Sequence, residues 1–235
     1  MKRVGVVLSG CGARDGTELR EAVLVLLAID RAGAEAVCAA PDVPQAAVVD
    51  HLTGETSSSR PKRKVLSESA RVARGAVIDI AALDARDIDA LILPGGSGVA
   101  VNLSDYRERA ELCAVNDDVA RLLREMLKAH KPIGLTCLAP ILAARVLGPV
   151  AGVRVTLGSK GFPAAKHAAV MGADVRPCPP DDIVVDQKNR VVSTPAYMYD
   201  DARLAEVATG VDKLCRAVLG LARDRNPAPP APPQP

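Results

Sequence analysis

The sequence predicts an α/β protein with a mostly parallel central sheet that helices cover on both faces, and three observations lead to this prediction. Short apolar runs alternate with helix-length segments, which is the pattern of repeated strand–helix units. The length of 235 residues suits one large domain of this class. Hydrophobic residues make up 49% of the chain and aromatic residues only 2%, so we expect a core of aliphatic side chains and alanine.

The first part of the chain contains five predicted elements, most of them ended by a residue that breaks regular structure. Gly33 follows the first helix, Pro41 the second strand and Gly75 the second helix. Asp15 and Glu18 have the spacing of a capping box at the start of the first helix. The elements are strands over Val4–Leu8, Glu35–Ala40 and Val77–Ile80, and helices over about Thr17–Ala32 and Val65–Arg74.

The second part continues the alternation of strands and helices as far as a proline-rich tail. The predicted strands are Ala90–Leu93, Ile133–Thr136, Val153–Leu157, a short one at Val175, Ile183–Val185 and Val191–Ser193, and the helices are Asp117–Ala129, Pro140–Leu147 and Leu204–Ala222. The last ten residues are rich in proline and alanine, which predicts disorder. We therefore expect one domain over residues 1–225 and a disordered tail over 226–235.

Composition excludes several classes of function. The formal net charge of +2 is evenly spread, so we expect no nucleic-acid partner, and the basic stretch at residues 60–64 is interpreted as part of a solvated loop. No apolar run approaches the roughly 18 residues of a membrane span. The six cysteines form no C-x-x-C pair and the three histidines lack ligand spacing, so we expect no metal. The first residues resemble no signal peptide, which predicts reduced thiols and a cytoplasmic location.

Cys137 is the first candidate for chemistry, because it lies where a buried strand leads directly into a helix. Ligands of α/β sheets bind at the carboxyl ends of the strands. A thiol in this position also lies near a helix N-terminus, whose partial positive charge should lower the thiol pKa. Ala139 has the small side chain typical of a nucleophile elbow, whereas Leu135 does not. From spacing alone, a buried and inert cysteine remains the alternative.

Glu21 is the second candidate, because helical periodicity places it on the apolar face of the first helix with Leu24, Val25 and Ala28. A carboxylate on such a face is unfavourable unless it is paired or protonated. A side chain that extends to water from the helix end is the alternative.

The third candidate is the glycine-rich turn Leu93-Pro94-Gly95-Gly96-Ser97-Gly98, which follows a predicted strand. Its backbone N–H groups could form half of an oxyanion hole, and a plain tight turn is the alternative. The run Gly10-Cys11-Gly12 is a poor dinucleotide fingerprint, because Asp15 replaces the last glycine of that motif.

Taken together, these motifs resemble the class I glutamine amidotransferase-like superfamily, in its PfpI-like branch, and most closely the ElbB-type glyoxalases, also described as isoprenoid biosynthesis-associated proteins. The resemblance extends from Val4 to about Leu221. The segments that carry it are Leu8-Ser9-Gly10-Cys11-Gly12, Asp15-Gly16-Thr17-Glu18, Glu21-Ala22-Val23-Leu24, His51-Leu52-Thr53-Gly54-Glu55, Leu93-Pro94-Gly95-Gly96, Asn102-Leu103-Ser104, Cys137-Leu138-Ala139-Pro140, Cys178-Pro179, Asp181-Asp182-Ile183-Val184-Val185-Asp186 and Thr194-Pro195-Ala196-Tyr197-Met198.

The resemblance implies a flavodoxin-like three-layer sandwich, a homodimer, and a glyoxalase III-type hydro-lyase that uses no cofactor. It implies that Cys137 is the nucleophile, that Glu21 is its acidic partner, and that the backbone N–H groups of Gly96 and Leu138 hold the oxyanion. The implied substrate is a small 2-oxoaldehyde such as methylglyoxal or glyoxal, converted to a hydroxy acid through a cysteine hemithioacetal. The implied alternative is a non-catalytic redox or carbonyl-stress sensor, or an accessory protein in isoprenoid metabolism.

The chain departs from the superfamily pattern at one position that affects the expected chemistry. Several relatives have a histidine beside the nucleophile, whereas this chain has Leu138, and no motif places His167 in the site. The His-x-Glu motif of true amidotransferases is also missing after the nucleophile. We therefore expect neither glutaminase nor protease activity, and slow turnover by a Cys–Glu pair.

Overall fold

A computed structural model describes residues 1–56 and 62–222 and contains a seven-stranded sheet with helices on both faces. The strands are β1 Arg3–Val7, β2 Glu35–Ala40, β3 Val77–Asp79, β4 Ala90–Leu93, β5 Ile133–Thr136, β6 Arg154–Val155, β7 Asp174–Val175, β8 Val184–Asp186 and β9 Val191–Thr194. The helices are α1 Leu19–Arg31, α2 Val65–Val72, α3 Gly98–Val101, α4 Tyr106–Arg109, α5 Asp117–Lys128, α6 Pro140–Ala151, α7 Pro163–Val170 and α8 Leu204–Leu221.

The strand order of the main sheet is β3-β2-β1-β4-β5-β9-β8. All neighbouring pairs are parallel except β8 and β9, which are antiparallel. The carboxyl ends of β1, β4, β5 and β9 therefore lie side by side at one edge of the sheet. This is the edge where α/β proteins bind their ligands.

Alternation along the strands divides the core between the two faces of the sheet. Ile92 of β4 packs with α1 and α8 on one face, while Leu91 and Leu93 pack with α5, α6 and α7 on the other. Both clusters consist mainly of aliphatic side chains and alanine, as the composition predicted, with a few cysteines and methionines. They fix the four central strands as a rigid base for the loops at their carboxyl ends.

The predicted α/β architecture is confirmed, and the predicted elements agree with the structure within a few residues except in the segment after α6. There the predicted strand Val153–Leu157 shortens to β6, the strand predicted at Val175 is β7, and the two pair only with each other in a separate two-stranded sheet. Three helices, α3, α4 and α7, were not predicted. Two have four residues, too few for a helical period to show in the sequence. Helix α7 has eight residues, half of them alanine, so its polar and apolar faces differ little.

The predicted disordered tail at 226–235 and part of the predicted basic loop at 60–64 lie outside the described residues. Within the described residues, no helix combines the length and the apolar character needed to cross a bilayer.

Candidate active site

Cys137 lies at the turn between β5 and α6, with its backbone in the left-handed region at φ +54°. The backbone N–H of Cys137 donates to the carbonyl of Thr194 at 3.0 Å, which continues the pairing of β5 with β9 for one residue beyond the strand. Pro140 then occupies the first turn of α6. The strand therefore ends in a strained turn that presents the thiol at the carboxyl edge of the sheet, as a nucleophile elbow does.

Glu21 of α1 is completely buried and reaches the same edge of the sheet. Its Oε2 accepts hydrogen bonds from the backbone N–H of Gly95, at 3.0 Å, and from the hydroxyl of Thr136. Its Oε1 accepts from the backbone N–H of Tyr197 at 3.4 Å. Burial raises the pKa of the carboxyl to about 7, with the neighbouring Glu18 adding to the rise and these hydrogen bonds opposing it. The prediction that Glu21 lies on the buried face of α1 is confirmed.

Cys137 and Glu21 act on each other directly. Cys137 is 8% exposed as a residue, and its thiol interacts with the Glu21 carboxyl, while the backbone N–H groups of Gly96 and Leu138 donate to its sulfur. Burial, followed by the charge of Glu21, raises the pKa of the thiol well above its ordinary value, and the two N–H groups oppose this rise. The expectation of a lowered thiol pKa is therefore wrong, because desolvation and a neighbouring carboxylate outweigh the partial positive charge of the turn.

Gly95 and Gly96 are glycines because their neighbours leave no room for a side chain. A Cβ on Gly95 would collide with the Cβ of Cys137 and lie 2.9 Å from Oε2 of Glu21. Gly96 has a φ of +105°, and a Cβ there would overlap the backbone between Gly16 and Glu18. The turn after β4 therefore packs against Cys137 on one side and against the loop before α1 on the other. In this position the N–H of Gly95 points at Glu21 and the N–H of Gly96 points at Cys137.

The loop before α1 differs from the predicted capping box. Glu18 is the N-cap residue, and its side chain accepts from the backbone N–H of Glu21 at 2.7 Å. Asp15 is buried away from the helix, where its Oδ2 accepts from the N–H of Val49 at 2.8 Å. The prediction placed the cap three residues too early, because hydrogen bonds from Gly12 and Gly16 fold residues 12–17 into a compact loop.

Sequence reasoning assigned no role to several residues that complete the site. Thr136 is fully buried beside the nucleophile, and a polar side chain at the end of an otherwise apolar strand was the available signal. Tyr197 contacts Glu21 only through its backbone N–H, and the residue type gives no signal of such a contact. Asn102 donates to the carbonyls of Ser9 and Asp15, both at 2.9 Å, and thereby fastens the loop before α1.

The histidines take no part in the contacts of Cys137 and Glu21 within the described residues. His167 hydrogen-bonds the hydroxyl of Tyr106 at 2.8 Å and lies 3.7 Å from the carboxylate of Glu111. His51 accepts from the N–H of Arg14 at 3.2 Å. Within the same residues, no group of three or more histidine, cysteine or acidic side chains is arranged to hold a metal ion.

Comparison with known proteins finds close relatives over nearly the full chain, although no family model matches it. The human glutamine amidotransferase-like class 1 domain-containing protein 3, mitochondrial, is 46% identical over 227 residues, which is 93% of this chain and 83% of that protein. The rat mitochondrial ES1 protein homolog is 45% identical over 93% of this chain and 84% of its own length, and the zebrafish mitochondrial ES1 protein 35% identical over 93% and 85%.

Solved structures support the same assignment of the fold. An isoprenoid biosynthesis protein with an amidotransferase-like domain from Ehrlichia chaffeensis superposes with a TM-score of 0.87 at 35% identity, covering 94% of this chain and 99% of that one. A DJ-1 superfamily protein from Agrobacterium tumefaciens superposes with a TM-score of 0.54 at 21% identity, covering 94% of this chain and 91% of that one, and shows the shared fold alone. The expected flavodoxin-like, amidotransferase-like architecture is therefore confirmed.

The expectation of a cytoplasmic location is wrong by comparison with these relatives. The human, rat and zebrafish proteins are all named as mitochondrial proteins. The expectation rested on the first residues of the chain and on the reduced state of its thiols. Reduced thiols do not distinguish the cytosol from other reducing compartments.

Proposed function

Since this chain belongs to the glutamine amidotransferase-like class 1 family of the ES1 proteins, we propose that it is a glutathione-independent glyoxalase that converts small 2-oxoaldehydes to hydroxy acids. The observation that carries the proposal is the pairing of the buried Glu21 carboxyl with the Cys137 thiol beneath two backbone N–H donors. No cofactor enters this chemistry, because the groups that it needs are a nucleophile, a proton carrier and oxyanion donors.

The first step would join the Cys137 sulfur to the aldehyde carbon of methylglyoxal. As the S–C bond forms, the electron pair of the C=O bond moves to the oxygen, and the N–H groups of Gly96 and Leu138 stabilise that charge. The proton of the thiol passes through the Glu21 carboxylate to this oxygen, which gives a neutral hemithioacetal and leaves Glu21 ionised. Because burial raises the thiol pKa, the sulfur becomes nucleophilic only as it loses its proton to the Glu21 carboxylate, which predicts slow addition.

Glu21 would then move one proton between two carbons. Its carboxylate removes the proton from the former aldehyde carbon to give an enediolate, the same carboxyl returns this proton to the adjacent carbon, and the hydroxyl proton moves from the first oxygen to the second. The product is a thioester of lactate, which water hydrolyses to lactate and the free Cys137 thiol. A carboxyl with a pKa of about 7 can both accept and release a proton at neutral pH, which suits this double role.

The test measures lactate formed from methylglyoxal and the mass of the protein. We expect the wild-type chain and the matched control Cys215→Ala, a buried cysteine of α8, to form lactate, and Cys137→Ala to form none. Glu21→Gln should form no lactate, because it lacks the group that accepts the thiol proton and that carries a proton between the two substrate carbons. Equal lactate formation by wild type and Cys137→Ala would overturn the proposal.

The contact of the protonatable Glu21 carboxyl with the Cys137 thiol favours a second candidate, a carbonyl or redox sensor. In this role Cys137 would hold an adduct, or two equivalents of a peroxide would oxidise it through a sulfenate to a sulfinate, to which the protonated Glu21 donates a hydrogen bond. A wild-type chain that retains the methylglyoxal adduct or the sulfinate without forming lactate would favour the sensor. The Ehrlichia protein, named for isoprenoid biosynthesis, motivates an accessory role in isoprenoid metabolism as a further variant of this candidate.

We also propose that the chain forms a homodimer through α1. Leu19, Val23 and Leu27 recur at every fourth position and are 39–51% exposed, so they form an apolar stripe on one face of the helix. Light scattering should show a dimer for wild type and for the control Val170→Glu, an exposed valine of α7, and a monomer for Val23→Glu. A monomeric wild type would refute this proposal.

A further inference from the structure

The side chain of Thr136 bridges the two halves of the candidate site. Its hydroxyl accepts the backbone N–H of Gly95 at 3.0 Å and donates to Oε2 of Glu21. The direction of these bonds is fixed, because the Gly95 N–H can only donate, so the hydroxyl proton is left for the carboxylate. Thr136 is completely buried, and water therefore has no access to replace either bond.

The two oxygens of Glu21 are consequently unequal. Oε2 faces two donors, the Gly95 N–H at 3.0 Å and the Thr136 hydroxyl, whereas Oε1 faces the more distant Tyr197 N–H at 3.4 Å. An oxygen that accepts two hydrogen bonds has little room for a proton of its own and is favoured in its charged form. A proton bound to the carboxyl is therefore better placed on Oε1.

We infer that Thr136 is a positioning residue that confines the exchangeable proton of Glu21 to Oε1 and favours the ionised form of the carboxyl. The importance of Thr136 for catalysis rests on the proposed glyoxalase mechanism. In that mechanism the proton moves between the two substrate carbons, and a carboxyl that always carries the proton on the same oxygen avoids a rotation between the two transfers.

The other groups around the carboxyl do not duplicate this role. Glu18 of the same helix raises the pKa of Glu21 through its charge, and Cys137, the residue after Thr136, is the thiol partner. The turn after β9 contributes the Tyr197 N–H to Oε1. Among the described residues that face Glu21, Thr136 is thus the side chain whose hydrogen bond favours the charged carboxylate.

The pH dependence of Cys137 alkylation tests the inference without relying on glyoxalase activity. Iodoacetamide labelling of Cys137, quantified by peptide mass mapping, should rise with pH and level off near the pKa of Glu21, about 7 in the wild type, because the ionised Glu21 opposes formation of the thiolate. In Thr136→Val, which keeps the shape but lacks the hydroxyl, the plateau should begin about one pH unit higher and reach a roughly tenfold faster rate. Thr136→Ser should restore the wild-type profile.

The outcomes separate this inference from the proposed function. A wild-type profile in Thr136→Val, confirmed to be folded by circular dichroism, would overturn the role of Thr136 whether or not lactate is formed. If Thr136→Val does not fold, the smaller Thr136→Ala takes its place with the same expected shift. A shifted profile in a chain that forms no lactate would support the role of Thr136 while the glyoxalase proposal fails.

Discussion

Replacing Glu21 by glutamine should remove a pH-dependent loss of stability from the protein. Burial raises the pKa of the Glu21 carboxyl from 4.5 to about 7, so between these values the folded state keeps a proton that the unfolded chain releases. The contribution of Glu21 to stability is therefore fully present below pH 4.5 and is lost as the pH rises through 7. The shift corresponds to about 3 kcal/mol in total, of which about 2.5 kcal/mol is lost between pH 5 and pH 8.

Urea denaturation of wild type and Glu21→Gln at pH 5 and pH 8, followed by far-ultraviolet circular dichroism under reducing conditions, measures this difference. The free energy of unfolding of the wild type should fall by about 2.5 kcal/mol more than that of the variant over this range. Cys137 contributes little, because burial keeps its thiol protonated, and the remaining titrating groups are common to both proteins. Equal pH dependence in the two proteins would refute the assignment of a raised pKa to Glu21.

Two further changes test the geometry of the site. Gly95→Ala inserts a methyl group between Cys137 and Glu21 and should slow alkylation of Cys137 several-fold. The control Gly134→Ala crowds the core beneath α8, so it should lower the free energy of unfolding by about 1–3 kcal/mol without slowing alkylation. Equal alkylation rates in the two variants would contradict the contact. Asn102→Ala removes the hydrogen-bonding partner of two backbone carbonyls and of the N–H of residue 46. In urea titrations it should lower the free energy of unfolding by about 2–4 kcal/mol. A loss below about 1 kcal/mol would contradict this role of Asn102.

The sequence predicts the central sheet well, because its strands are continuous apolar runs bounded by glycine and proline. Ala90–Leu93 and Ile133–Thr136 have the same bounds in prediction and structure. The segment after α6 was predicted less well, since β6 and β7 have two residues each and their pairing depends on tertiary contacts. A run such as Val153–Leu157 shows that a segment is buried, and it does not show which sheet it joins.

The candidate site was predicted as a set of residues but not as an electrostatic environment. Periodicity identified Glu21 and chain position identified Cys137, and the structure brings them into contact. The direction of the thiol pKa was wrong, because the helix N-terminus is a local feature of the sequence whereas burial and the approach of Glu21 arise from the fold. The hydrogen bond from the N–H of Tyr197 could not be predicted either, because almost every residue has a backbone donor.

The left-handed backbone of Cys137 means that the reactive residue occupies a position where folding alone would favour glycine. A side chain at φ +54° destabilises the native state by roughly 1 kcal/mol relative to glycine, so a Cys137→Gly chain would be the more stable protein in this respect. Selection for stability and selection for a thiol therefore oppose each other at this residue. A cysteine that persists at residue 137 among relatives of this chain would mark a requirement for chemistry, since the fold has a more favourable residue for the same turn.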